Sequence, residues 1–82
     1  MAKYWVTMTD KFMSGWGGAQ GRVSKFVVAC DSYVEADRVK CAAERRPEMK
    51  YVNVRVTKPH YDAARYVTTE RAYADLGPVW KG

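Results

Sequence analysis

Hydrophobic and polar positions alternate with a period of two in three separate stretches of this chain. Residues 3–9, KYWVTMT, are rich in aromatic and β-branched types and read as a first strand. Tyr4, Val6 and Met8 share one of its faces; Trp5, Thr7 and Thr9 share the other. Residues 23–30, VSKFVVAC, read as a second strand with a wholly apolar face of Phe26, Val28 and Cys30, opposite Val23, Lys25 and Val27. Residues 49–57, MKYVNVRVT, give the cleanest alternation, Val52, Val54 and Val56 against Tyr51, Asn53 and Arg55. Residues 65–70, RYVTTE, form a weaker fourth candidate.

Between the second and third strands the period changes. Ala36, Val39, Ala42 and Ala43 recur at helical spacing and make a narrow apolar stripe. Ser32 followed by Glu35 matches a capping box, in which each side chain satisfies an orphan backbone N–H. Pro47 closes the segment, because the residue before proline is pushed out of the helical region. A helix over 32–45 is expected, its alanines small enough to lie close on a sheet. The order is then β-β-α-β with a short further strand: an α+β two-layer sandwich, one helix packed on a mainly antiparallel sheet. The helix shields the apolar faces of strands two and three. Alternation leaves open which face of strand one joins them; if it is Tyr4, Val6 and Met8, Trp5 and Thr7 fall on the far side. The tail ADLGPVWKG carries turn signals and one anchor candidate, Trp80.

The length of 82 residues makes residues 1–82 one small domain, without room for a second core. No apolar run approaches the roughly 18 residues of a membrane span, and the start, MAKYWVTMTD, lacks the apolar centre of a signal peptide. A soluble, cytoplasmic protein with no membrane partner is expected. Fourteen Lys and Arg against nine Asp and Glu leave a net charge of +5, which favours acidic partners, either nucleic acid or an acidic protein surface. Cys30 and Cys41 are too few for a disulfide framework and lack zinc-motif spacing. A helix between them separates the two by about 13–15 Å at a rise of roughly 1.5 Å per residue. That exceeds the roughly 7 Å a disulfide spans, so free thiols are expected.

The segment MTDKFMSGWGGAQGRVSK carries four of the chain's six glycines. Their spacing fits neither the P-loop nor the dinucleotide fingerprint, and a strand rather than a helix follows, so no helix N-terminus faces an anion. The segment reads as a long hairpin loop. Phe12, Met13 and Trp16 on that loop either fold back over a sheet end or anchor a partner, with Lys11 and Arg22 alongside. The sheet face away from the helix offers a second surface. There Trp5, Lys25, Tyr51 and Arg55 suit single-stranded nucleic acid, rings stacking on bases and cations meeting phosphates. The alternative is that these long side chains simply cover a solvated sheet. The helix itself mixes Arg38, Lys40, Arg45 and Arg46 with Asp37 and Glu44, as an ordinary surface does. The lone His60 has no partner histidine for a metal, Asp10, Asp62 and Asp75 sit in turn contexts, and no paired-carboxylate site is present. A non-enzyme without metal or cofactor is expected.

The stretches KYWVTMTDKFMSGWGGAQGRVSKFVVACDSYVEADRV and MKYVNVRVTKPHY resemble small proteins of bacteriophages and prophages. The resemblance covers about three quarters of the chain; MTDKFMSGWG and CDSYVEA are its most specific parts. It transfers no functional residues. In size and β-β-α-β order the chain is also similar to several anti-CRISPR proteins. That likeness implies a phage-encoded inhibitor in the host bacterial cytoplasm, a monomer or small homo-oligomer, binding an acidic surface such as a Cas effector subunit. Acidic mimicry of DNA, which many such inhibitors use, does not suit a charge of +5.

Overall fold

A computed structural model describes residues 2–11 and 21–80. Strands β1 (Tyr4–Asp10) and β2 (Val23–Cys30) precede helix α1 (Tyr33–Glu44), strands β3 (Met49–Arg55) and β4 (Tyr66–Ala72), and two 3₁₀ turns, Tyr73–Asp75 and Pro78–Trp80. The sheet order is β3-β1-β2-β4. β1 pairs antiparallel with both β2 and β3, whereas β4 lies parallel to β2, so the expected antiparallel character is joined by one parallel pair. The α+β architecture with one helix on one sheet face is as expected.

The fourth strand forces a second crossover. α1 carries the chain from β2 across β1 to β3 on one face. Residues 56–65 must then return from β3 past two strands to β4. Tyr61 rests against Lys25, a residue pointing away from the helix, so this return runs over the opposite face. Reversing both the direction and the face preserves the hand, and one handedness rule serves both crossovers.

The core lies between α1 and the sheet. Val6, Met8, Val28, Cys30, Ala36, Val39, Ala43 and Met49 form one buried cluster, with Tyr4, Phe26, Val52 and Val54 packed against it. This settles the face of β1: Tyr4, Val6 and Met8 point at the helix, and Trp5, Thr7 and Thr9 point away. Burial of each large aliphatic side chain contributes about 1.5–3 kcal/mol. The stripe Ala36, Val39, Ala42 and Ala43 is the buried face of α1. Ser32 caps the helix, its hydroxyl accepting from Glu35 N–H at 3.2 Å. The Glu35 carboxylate reaches back one residue further than a capping box predicts, taking the Asp31 N–H at 2.8 Å.

β3 departs from simple alternation. Thr7 opposes Asn53 but Thr9 opposes Lys50, so an extra residue sits in β3, and Tyr51 there has φ 55. This is a β-bulge with a left-handed tyrosine, a conformation that costs a non-glycine residue about 1–2 kcal/mol. The strand also ends at Arg55, and Val56, expected on the apolar face, is 72% exposed. The tail anchor is present. Trp80 packs against Phe26 at a tilt of 51° with ring centroids 5.5 Å apart, and the Arg46 guanidinium covers it at 4.3 Å. Arg46 also pairs with Glu48 at 3.4 Å.

Both thiols are free, Cys30 buried and Cys41 exposed on α1. Burial, followed by the Glu35 and Asp31 carboxylates, pushes the Cys30 thiol up to about 11 from 9.0. Iodoacetamide at pH 8 is expected to label Cys41 alone in the folded protein and both thiols in denaturant. The folded thiol keeps its proton where the unfolded one loses it, so stability falls as pH rises from 9 through about 11. Rapid labelling of Cys30 in buffer would contradict the buried position.

Candidate partner-binding surface

The register lays out the face opposite the helix in rows. One row runs Arg55, Trp5, Ala29, Ala72; the next Asn53, Thr7, Val27, Glu70; the third Lys50, Thr9, Lys25, Thr68. On β1, β2 and β3 this face carries three cations and no carboxylate. Glu70 on β4 is the exception at the far edge, and it pairs with Lys58 at 3.7 Å.

The centre of this face is not open, contrary to the sequence expectation. Thr7, Thr9 and Val27 are 5%, 4% and 2% exposed although they point away from the helix. Lys25 is drawn inward as well. Its ammonium donates to the Thr9 hydroxyl at 2.6 Å and lies 5.6 and 5.7 Å from the rings of Tyr61 and Tyr66. Those two rings contact each other at a tilt of 53°, with centroids 5.3 Å apart. Burial, and then the Lys11 ammonium, hold Lys25 below the usual lysine range. Lys25 is thus half-buried and ties the 56–65 crossover to the sheet, rather than standing free on an open face. Arg22 acts alongside, donating to the Ala63 carbonyl at 3.2 Å.

What remains exposed lies along β3. Lys50, Asn53 and Arg55 are exposed there, beside half-buried Trp5. Tyr51 is 70% exposed at the bulge, and the Lys11 ammonium lies 5.6 Å from its ring centre. Lys11, Lys50, Tyr51 and Arg55 thus make one continuous strip. Of the residues proposed for nucleic acid, Trp5, Tyr51 and Arg55 come together here and Lys25 does not. Of those proposed for a protein partner, Lys11 joins the strip, Arg22 serves the crossover, and Phe12, Met13 and Trp16 lie outside the described residues. Lys50 escaped the sequence reading for a clear reason. Strict alternation puts it with Val52 under the helix, and only the bulge turns it over while turning Met49 into the core.

Elsewhere the surface offers less. A shallow recess lined by Asp31, Glu35, Ala72 and Tyr73 has its Glu35 carboxylate engaged in the helix cap. Among the described residues no cluster of His, Cys, Asp and Glu is placed to hold a metal ion, and no helix is long and apolar enough to cross a membrane. The chain matches no known protein family, no curated protein and no solved structure.

Proposed function

We propose that this chain is a non-catalytic binding protein that docks on an acidic partner through the Lys11, Lys50, Tyr51 and Arg55 strip. The reading rests on one observation: exposed cations flank an exposed tyrosine on an edge strand, and the face beside it carries no carboxylate on β1, β2 or β3. Like-signed cations that form no ion pair among the described residues repel one another unless an anion is supplied, and the strained backbone under Tyr51 is of the kind found at functional sites. The phage resemblance names a setting for such a surface: an inhibitor of a host defence complex in the bacterial cytoplasm, in its most concrete form an anti-CRISPR protein seated on a Cas subunit.

The test is retention of purified Cas effector complexes of several types on the immobilised protein. Wild-type protein should retain one of them, and Lys50→Glu with Arg55→Glu should weaken retention at least tenfold while the circular-dichroism spectrum is unchanged. Retention by both proteins alike removes the strip from the interface. Failure to retain any complex removes the anti-CRISPR form.

A second reading places single-stranded nucleic acid on the same strip, favoured by Trp5 and Tyr51 as stacking surfaces beside the cations. A gel-shift titration separates the two. Affinity that falls steeply with salt supports nucleic acid; no shift at micromolar protein excludes it.

A further inference from the structure

The sheet ends in two edges, β3 and β4, and they are built differently. β3 carries the devices that keep an edge from pairing: a bulge at Tyr51 and exposed Lys50 and Arg55. β4 has no bulge and no lysine, and its two exposed charges, Glu70 and Arg71, cancel. Its seven residues, YVTTERA, contain no proline, glycine or lysine, hold β-branched residues at three consecutive positions, and are charge-neutral. Thr68, Glu70, Arg71 and Ala72 are exposed, and among the described residues no strand lies beyond them.

The backbone shows which groups face outward. Val23 N–H donates to the Arg65 carbonyl at 3.0 Å, which in a parallel ladder turns the odd-numbered residues of β4 toward β2. The amides of Tyr66, Thr68, Glu70 and Ala72 then point away from the sheet. The Glu70 carbonyl accepts from the guanidinium of neighbouring Arg71 at 3.0 Å, in keeping with this orientation.

We propose that β4 pairs antiparallel with β4 of a second copy, joining two sheets into one. A two-fold axis normal to the sheet keeps equivalent faces together, so only residues of the same face can stand opposite each other. Registers centred on Glu70 or Arg71 oppose like charges at the axis, and one centred on Thr68 opposes Arg65 to Arg71. A register centred on Thr69 opposes no like charges and aligns all seven residues, although the Tyr66 N–H at the strand's start is already donated to the Asp62 carbonyl at 2.9 Å. It places Thr69 against its own counterpart, a favourable cross-strand pair, and Val67 against Arg71. It also makes Thr68 and Glu70, both outward-facing, the hydrogen-bonded pair. The occupant is therefore this chain itself: the edge is neutral and self-complementary, whereas the β3 strip is cationic and repels its own copy. Both β3 strips remain exposed at the two ends of the dimer.

Sedimentation velocity from 10 µM to 1 mM checks this. The expected result is a mass rising with concentration from the 9.4 kDa monomer toward twice that value. Thr68→Pro deletes an outward N–H without touching the ladder to β2, and should hold the protein monomeric with an unchanged fold. Amide exchange on wild-type protein gives an independent readout: Thr68 and Glu70 N–H should gain protection as concentration rises, and Lys50 should not. A monomer at 1 mM, dimerisation undiminished by Thr68→Pro, or concentration-independent exchange at Thr68 and Glu70 would each overturn the proposal.

Discussion

Val39→Asp is expected to leave the chain without a cooperative thermal transition at neutral pH. Val39 is fully buried at the middle of the α1 stripe, in one cluster with Val6, Met8 and Val28. An unpaired carboxylate there costs several kcal/mol, and the lost valine burial adds about 1.5–3 kcal/mol. A domain of this length has roughly 4–12 kcal/mol of stability in total, so the substitution consumes most or all of it. The new carboxyl would be held well above its ordinary range by burial, so its penalty shrinks as the pH falls and the group becomes neutral. Partial recovery of the fold near pH 4 is the signature of that mechanism. A variant that melts at pH 7 like the parent would show that Val39 is not in the core.

Trp80→Ala carries the next largest effect. Trp80 belongs to a single 3₁₀ turn, Pro78–Trp80, too short to be stable without tertiary contacts. Its ring covers Phe26 on one side and lies under the Arg46 guanidinium, linking the tail to β2 and to the segment after α1. Phe26 is only half-buried with the tryptophan in place, and its removal opens that end of the core to water. The expected cost is about 2–3 kcal/mol, below the 3–5 typical of a fully buried tryptophan because Trp80 keeps some exposure. That corresponds to a fall in Tm of about 10–20 °C for a domain of this size. Trp80→Phe should recover more than half of the loss, since a ring still covers Phe26. A Tm within about 2 °C of the parent for Trp80→Ala would mean that the tail is dispensable.

The candidate surface shows where local pattern stops being informative. Alternation through 49–57 is the most regular in the chain, yet it assigns Met49 and Lys50 to the wrong sides. A single extra residue inverts every side chain before it, and nothing in the composition of KYV announces one. Tyrosine is a poor residue for a left-handed position, so the bulge arises from pairing with β1 rather than from local preference. Lys25 illustrates a different gap. Its residue type and face were legible, but its inward path depends on Tyr61, 36 positions away in sequence, and on a crossover whose route only the strand order dictates.

What the sequence determined by itself is local and periodic: strands read at 3–9, 23–30 and 49–57 and found within two residues of those bounds, the capped helix and its alanine–valine stripe, the free cysteines and Trp80 as an anchor candidate. Each follows from spacing, capping or residue type within a few turns of chain. Tertiary structure decided which face of β1 is buried, that β4 pairs parallel to β2, that the return crossover covers the far face, and that the exposed cations gather on β3. These are outcomes of competition for one core and one set of backbone hydrogen bonds. Residues far apart in the chain settle that competition together, so no single stretch of sequence contains the answer.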